Sequence, residues 1–204
     1  MKTQNFDAIL KYFQAIDEAN AKIGKYSRTS QAGVFVPSRL IDLSIGIEIL
    51  INEGLIEQKL IFCDAGCGDG RVVALASGIY SIPSIGLEGD SQLFEIAKAN
   101  IDYLKKLGIL NGNLASIVQG DFNEDSTYRK EGLRFDDIAT FFNFVDNHRN
   151  LIQKIRQQSS KGTRLVIECP WEKPQVLDGF SLRRAVRISN ISPIGQNLYL
   201  YEKV

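Results

Sequence analysis

The chain has 204 residues and equal numbers of basic and acidic side chains, 24 of each, so its formal net charge is zero. This length predicts one domain at ~100–200 residues per domain, and a hydrophobic content of 44% is enough for a core and too high for intrinsic disorder. A net charge of zero argues against a protein that holds nucleic acid mainly by neutralising phosphates, although a local basic patch stays possible.

The cysteine and histidine content disfavours a disulfide framework and a zinc site. The chain has three cysteines, Cys63, Cys67 and Cys169, and one histidine. An odd number of cysteines in a chain of this size favours a reducing compartment, and without cysteine–histidine clustering we predict no metal site. No apolar run follows the first residues, and the longest apolar stretch, residues 40–51, is too short and too polar to span a bilayer. We therefore expect a cytoplasmic protein without a membrane segment.

The first 37 residues are predicted to form a helix and a loop. Apolar residues at spacings of three and four predict a helix over residues 5–22. Residues 24–37 are polar and glycine-flanked, which predicts a loop that ends in an extended piece. Ser38 is a plausible N-cap for a second helix that runs to about Asn52. We expect residues 1–37 to cover the active site and residues 38–204 to form the main domain.

Strands and helices alternate after residue 59. Apolar runs predict five strands, at residues 60–63, 82–87, 116–118, 137–144 and 163–169. Two further strand-like runs, 185–191 and 198–201, have Gly195 between them and predict a terminal antiparallel hairpin. The alternation indicates βαβ units. The predicted fold is α/β, with a Rossmann-like, doubly wound, mostly parallel seven-stranded sheet, a C-terminal antiparallel hairpin and an N-terminal helical extension.

The most informative motif follows the first of these strands. An acidic residue precedes glycines at every second position in Asp64-Ala65-Gly66-Cys67-Gly68-Asp69-Gly70. Ligands of doubly wound sheets bind at such strand–helix turns, and glycine lets the backbone approach them closely. The spacing is offset from the G-x-G-x-x-G of dinucleotide sites, and an acidic neighbour suits a ligand that has an ammonium group and no phosphate.

S-adenosylmethionine is a ligand of that kind, and the motif resembles motif I of the class I, seven-strand, SAM-dependent methyltransferases. The resemblance implies that S-adenosylmethionine is the cofactor and that the loop contacts it. Two alternatives are a structural glycine turn and a nicotinamide dinucleotide site. The loop residues predicted to bind the cofactor are Asp64, Ala65, Gly66, Cys67, Gly68 and Gly70.

Two acidic positions farther along the chain extend the resemblance. Glu88 and Gly89 are also predicted to bind the cofactor. Glu88 follows the glycines by ~20 residues, where a ribose-binding carboxylate is expected, and its two oxygens can accept both ribose hydroxyls. The resemblance implies that Asp121 accepts a hydrogen bond from the adenine amino group and that Phe122 packs on the ring. Asp90 is the predicted cap of the next helix. The alternatives are a solvated strand-end charge at Glu88 and an ordinary Gly-Asp turn before Phe122.

A narrower resemblance covers residues 33 to about 169. The run Gly33-Val34-Phe35-Val36-Pro37-Ser38, the motifs above, residues 137–144 and Gly162-Thr163-Arg164 are similar to the small prokaryotic and mitochondrial protein-lysine methyltransferases. These enzymes are relatives of the disruptor-of-telomeric-silencing histone methyltransferases. The resemblance implies a protein lysine as substrate. We also predict that Phe35 and Ser38 lie close to the cofactor.

Asn143, at the end of the fourth predicted strand, is the predicted catalytic residue. The carboxyl ends of the strands are where open α/β sheets hold their substrates, and the amide oxygen of Asn143 can accept a hydrogen bond from an amine. Phe141, Phe142, Phe144 and Trp171 are candidates for an apolar wall that favours a neutral lysine, and at least half of them are expected to be core.

The predicted function is a SAM-dependent N-methyltransferase that acts on a protein lysine. Strand four lacks the Asn/Asp-Pro-Pro-aromatic tetrapeptide and a Pro-Cys pair, which disfavours methylation of DNA-base amino groups and of pyrimidine C5. Two alternatives stay open, a small-molecule or RNA methyltransferase and a non-catalytic SAM-binding protein. The oligomeric state is open, and no strong nucleic-acid signal is present.

Overall fold

A computed structural model describes residues 2–24, 28–30, 33–144, 148–189 and 196–204. The helices are α1 (Lys2–Lys22), α2 (Leu40–Asn52), α3 (Arg71–Tyr80), α4 (Ser91–Lys106), α5 (Asp125–Arg129) and α6 (His148–Gln158). The strands are β1 (Arg28–Ser30), β2 (Gly33–Phe35), β3 (Ile61–Ala65), β4 (Ser84–Glu88), β5 (Ala115–Gln119), β6 (Ile138–Phe144), β7 (Arg164–Cys169), β8 (Phe180–Ser189) and β9 (Gln196–Lys203).

Seven strands form one sheet in the order β5-β4-β3-β6-β7-β9-β8. The pairs from β5 to β7 are parallel, and β9 is antiparallel to both β7 and β8. The predicted fold class and C-terminal hairpin are confirmed, although the turn with Gly195 lies outside the described residues. From β3 the chain adds β4 and β5 on one side of the sheet and then β6 and β7 on the other side. The loop after β3 therefore lies at the position where doubly wound sheets bind ligands.

Helix α1 packs into the same core as α2 and α3. The predicted apolar stripe buries Ile9 and Phe13, which are 0% and 1% exposed. Gly78 in α3 allows the close approach, because a β-carbon there would lie 2.6 Å from Cδ1 of Ile9. Residues before and after position 38 therefore share one core, and the predicted cover over an active site stays a prediction.

The structure corrects the prediction that Ser38 caps α2. The helix begins at Leu40 with Arg39 in the capping position, and no side chain caps it. The Ser38 hydroxyl instead donates a hydrogen bond of 2.7 Å to Oε2 of Glu168. A capping serine must accept from a backbone N–H, whereas this hydroxyl points to a buried carboxylate, which is a stronger partner.

Other local expectations hold in part. Asp90 caps α4 as predicted, because its Oδ1 accepts from the backbone N–H groups of Gln92 and Leu93 at 3.0 and 2.9 Å. The predicted loop 24–37 includes the antiparallel strands β1 and β2. Helix α5 was not predicted, because five residues are too few to show a helical period.

None of the described helices combines the length and the apolar character that crossing a bilayer requires.

The docking of α1 makes a stability prediction. Replacing Ile9, which is 0% exposed, by Ala should lower the free energy of unfolding by about 2–5 kcal/mol, because it leaves a cavity against α3. The matched control is Ile23→Ala just beyond α1, where the side chain is 64% exposed and the change should stay within about 0.5 kcal/mol. Urea denaturation measures both, and equal effects would show that α1 is not docked.

Candidate functional site

Polar side chains follow one another along the carboxyl edge of the parallel strands. Each of five neighbouring strands brings one such residue at its end or just after it. Because neighbouring strands lie about 4.7–4.9 Å apart, these residues form a row across the edge at which ligands of such sheets bind. In sheet order they are Asp121, Glu88, Asp64, Asn143 and Glu168.

Predicted site residues from other strands approach the glycine loop after β3. Gly66, Gly68 and Gly70 have φ angles of 86°, 56° and 81°, a region that favours glycine. A β-carbon on Gly66 would have as its nearest neighbours Cε1 of Phe122 at 3.9 Å and Nδ2 of Asn143 at 4.0 Å. The structure thus brings the loops after β3 and β5 and the end of β6 to one place.

The ring of Phe35 packs against the glycine loop. A β-carbon on Gly68 would lie 2.2 Å from Cε2 of Phe35, so the ring lies directly against the glycine backbone. Phe35 is the last residue of β2, and its contact with Gly68 joins the segment before α2 to the glycine loop. Both residues were predicted to contact a cofactor, and the structure places them side by side.

Glu88 is fixed to the glycine loop by its own carboxylate. It is 5% exposed, and its two oxygens accept hydrogen bonds from the backbone N–H groups of Gly68 at 2.8 Å and of Asp90 at 2.9 Å. Burial raises the pKa of Glu88, and these backbone hydrogen bonds oppose the rise. Each carboxylate oxygen has a second lone pair, so the pair of ribose hydroxyls expected there can still be accepted.

Asp64 is a buried carboxylate with one unpaired oxygen. It is 2% exposed, and its Oδ2 has no hydrogen-bond partner among the residues that the structure describes. Burial raises the pKa of Asp64 well above its usual value, and the negative charges of Glu88, Asp69 and Glu168 raise it further. A positively charged ligand group beside Asp64 would relieve this repulsion.

The Cys67 thiol packs against β4, and its predicted contact with the cofactor stays a prediction. A β-carbon on Gly86 of β4 would lie 2.8 Å from Sγ of Cys67, so the thiol fills the space that glycine leaves. Burial raises the pKa of Cys67 well above its usual value. A buried thiol of this kind is a poor nucleophile.

Arg71 ties the glycine loop to α1. It is 4% exposed and lies at the first position of α3. Its Nη2 donates to Asp69 and to Asp17 of α1 at 2.7 Å each, and its Nη1 donates to the main-chain oxygen of Ser38 at 3.1 Å. The guanidinium also lies 5.2 Å from the ring centre of Phe13, within the range of a cation–π contact. Sequence reasoning missed this network, because no local pattern relates Asp17 to a residue 54 positions away.

Asn143 presents an unpaired amide oxygen. Its Nδ2 donates to the main-chain oxygen of Ala65 at 2.6 Å, and its buried Oδ1 has no partner in the described part of the chain. Because the Ala65 oxygen needs a donor, the amide nitrogen must face it. Phe141 and Phe142 are buried in different core clusters, so they are core rather than channel wall, and Phe144 is half-buried.

The loop after β5 is held by hydrogen bonds from residues for which the sequence predicted no role. Oδ1 of Asp121 accepts from the backbone N–H and side-chain amide of Asn123 at 2.8 and 2.9 Å. From α5, Thr127 donates to the main-chain oxygen of Asp121 at 2.8 Å, and Tyr128 donates to that of Phe122 at 2.7 Å. The unpredicted helix α5 therefore holds the backbone of both predicted adenine contacts.

Metal binding finds no support at this edge of the sheet. In the part of the chain that the structure describes, no three His, Cys, Asp or Glu side chains converge to hold a metal ion. The polar groups along the edge are carboxylates, which accept hydrogen bonds, backbone N–H groups, which donate them, and an amide, which does both, and this set suits an organic ligand with both hydroxyl and cationic groups.

Comparison with solved structures identifies the fold class. An RNA methyltransferase from Salinibacter ruber, solved with S-adenosyl-L-homocysteine, is 21% identical with a TM-score of 0.55 over 83% of this chain and 93% of that one. A mutant of MtNAS solved with S-adenosylmethionine is 12% identical with a TM-score of 0.59 over 99% of this chain and 71% of that one. The chain has the Rossmann-like methyltransferase fold.

Sequence comparison finds a relative that matches part of the chain. A protein-lysine N-methyltransferase from Saccharolobus islandicus is 30% identical over 112 residues, which are 54% of this chain. The match spans 63% of that enzyme, less than two thirds of its length. No protein-family model matches the chain.

The Arg71 network makes a stability prediction. Arg71→Met should lower the free energy of unfolding by about 3–5 kcal/mol, because it leaves the buried carboxylate of Asp69 without its cation. The control is Lys98→Met, which removes an exposed pair of 2.9 Å with Asp102 and should change stability by less than about 1 kcal/mol. Urea denaturation measures both. Similar values would mean that the buried network adds nothing beyond a surface ion pair.

Proposed function

We propose that this protein is a SAM-dependent methyltransferase. The observation that carries the proposal is the convergence of three strand ends at Gly66 of the glycine loop, where a β-carbon would lie 3.9 Å from Cε1 of Phe122 and 4.0 Å from Nδ2 of Asn143. Glu88 is anchored to the same loop through the N–H of Gly68. A site with a backbone cradle, an aromatic ring and a fixed carboxylate suits a nucleoside.

The residues along the sheet edge fit the parts of S-adenosylmethionine in order. Phe122 and Asp121 would hold the adenine, Glu88 the ribose, and Asp64 the charged methionine part. The unpaired Oδ2 of Asp64 suits an ammonium group and would repel a phosphate. A nicotinamide dinucleotide therefore fits this site less well. When bound, the cofactor supplies a sulfonium methyl group for transfer.

A protein lysine is the acceptor that we propose. The partial likeness to a protein-lysine N-methyltransferase supports this substrate. The unpaired Oδ1 of Asn143 can accept a hydrogen bond from a neutral amine and orient its lone pair. A carboxylate in this place would form a salt bridge and favour the protonated, unreactive amine.

RNA is the second candidate acceptor. The RNA methyltransferase from Salinibacter ruber shares the fold, which supports this candidate at the level of fold alone. The zero net charge of the chain favours the protein substrate, because RNA binding depends on neutralising phosphates.

Incubation with methyl-labelled SAM and a lysate of the source cells tests the acceptor. We expect label in protein, and acid hydrolysis should release it as methyl-lysine. Label in RNA or in a small metabolite, with none in protein, would show that the acceptor is not a protein lysine. The proposed methyltransferase activity would still stand. Absence of transfer despite cofactor binding would indicate a non-catalytic SAM-binding protein.

Cofactor binding depends on Glu88 in this proposal. Glu88→Gln should weaken S-adenosylhomocysteine binding by about 10–100-fold, because it removes charge-assisted hydrogen bonds to the ribose. The control is Glu95→Gln, an exposed position on α4, where affinity should not change. Calorimetry measures both. Tight binding of a nicotinamide dinucleotide in place of S-adenosylhomocysteine would overturn the assignment.

Catalysis depends on Asn143 in this proposal. Asn143→Ala should lower kcat by about 100-fold or more, because it removes an acceptor that positions the amine in the transition state. Affinity for S-adenosylhomocysteine should change little. Asn113→Ala, at an exposed position, is the matched control for methyl transfer. Unchanged turnover in Asn143→Ala would remove this residue from the active site.

A further inference from the structure

Glu168 is a buried carboxylate that the proposed reaction does not use. It lies near the end of β7 and is 0% exposed. Its Oε2 accepts the hydrogen bond of 2.7 Å from the Ser38 hydroxyl, and its Oε1 has no partner within the described ranges. Burying a carboxylate with an unpaired oxygen is unfavourable. Glu168 is therefore not explained by its contribution to stability, and a functional role is the better explanation.

The groups around Glu168 leave an excess of negative charge. The pKa of Glu168 is raised to about 7. Burial is the largest cause, and the negative charge of Asp42 of α2 adds to it, while the hydrogen bond from Ser38 and the positive charge of Arg71 of α3 lower the pKa. Arg71 is already engaged by Asp69 and Asp17 at 2.7 Å each. Arg39 pairs with Asp42 at 3.3 Å and is half exposed. The described cations near Glu168 are therefore taken by other carboxylates.

Asp64 shares a face of the sheet with Glu168. Asp64 of β3 pairs with Phe142 of β6, which pairs with Val166 of β7. Glu168 is two residues beyond Val166, and residues two apart on a strand point to the same face. The negative charge of Glu168 is one of the causes that raise the pKa of Asp64. Asp64 and Glu168 each keep an oxygen without a hydrogen-bond partner.

We propose that Ser38, oriented by Glu168, joins Asp64 in binding the α-ammonium group of the cofactor's methionine part. Because the Ser38 hydroxyl donates its proton to Glu168, its lone pairs stay free to accept from an ammonium N–H. The bond from Arg71 to the Ser38 main-chain oxygen, 3.1 Å long, holds this residue beside the glycine loop. Glu168 is thus a positioning residue that places negative charge behind Ser38.

The order of the strands supports this placement. Glu88 lies on β4, on one side of β3, and Glu168 lies on β7, on the other side beyond β6. With the adenine at β5 and the ribose at Glu88, the methionine part would lie toward β6 and β7, where Ser38 contacts Glu168. The inference rests on cofactor binding and is independent of the methyl acceptor.

Two ligands separate this role from a merely structural one. S-adenosylhomocysteine has the ammonium group, whereas 5′-methylthioadenosine keeps the adenosine and sulfur and lacks the amino-acid part. Calorimetry on Glu168→Gln should show S-adenosylhomocysteine affinity reduced about 10-fold or more, with 5′-methylthioadenosine affinity within twofold of the unmodified protein. Glu172→Gln, at an exposed position after the same strand, is the matched control and should bind both ligands normally.

Ser38 variants give an independent measurement should Glu168→Gln fail to fold. Ser38→Ala should weaken S-adenosylhomocysteine selectively, and Ser38→Thr, which keeps the hydroxyl, should restore binding. The pH dependence adds a third readout. Affinity for S-adenosylhomocysteine should rise between pH 6 and 7.5 as Glu168 ionises, since its pKa is about 7, and the rise should be smaller in Glu168→Gln.

Three outcomes would overturn the inference. These are unchanged S-adenosylhomocysteine binding by folded Glu168→Gln, an equal loss of both ligands, and a pH dependence that Glu168→Gln does not alter. If the unmodified protein bound neither ligand, the proposed cofactor itself would be wrong, which is a different failure from loss of the ammonium site.

Discussion

The buried guanidinium of Arg71 holds together the parts of the molecule that form the site. It contacts Asp69 in the glycine loop, Asp17 in α1 and the main-chain oxygen of Ser38 before α2. Asn100 of α4 reinforces the junction, since it donates to the Asp69 main-chain oxygen at 2.9 Å and accepts from Tyr12 of α1 at 2.8 Å. Because the partners of Arg71 come from three segments, the loop geometry depends on the docking of the N-terminal helix as much as on β3.

The same edge of the sheet concentrates polar atoms that the protein itself does not satisfy. Unpaired buried oxygens belong to Asp64, Asn143 and Glu168, each from a different strand. Most buried polar groups in proteins are hydrogen-bonded, and sequences depart from stable arrangements mainly at functional sites. A ligand that brings its own donors, with positive charge at one end, would satisfy these acceptors.

Local patterns in the sequence were sufficient for the fold and insufficient for the contacts. Alternating apolar runs predicted the sheet, and glycine spacing predicted the loop and the position of Glu88, because these features are set by neighbouring residues. Contacts between distant segments have no such signal: Ser38 and Glu168 are 130 positions apart. The hydroxyl of Ser38 was predicted to cap a helix, and only the packed structure shows the carboxylate that binds it instead.

The placement of β9 between β7 and β8 sets an order of assembly. During synthesis β8 emerges before β9, yet its strand pairing in the sheet is with β9 alone. Strand β8 therefore cannot join the sheet before β9 has been synthesised, and the two strands can pair as a hairpin before β9 docks on β7. Meanwhile Arg183, Arg184 and Arg187, which are exposed in the folded protein, give the waiting strand a charged edge. Charge of this kind discourages pairing with other chains, so these arginines protect the protein during the interval in which its sheet is incomplete.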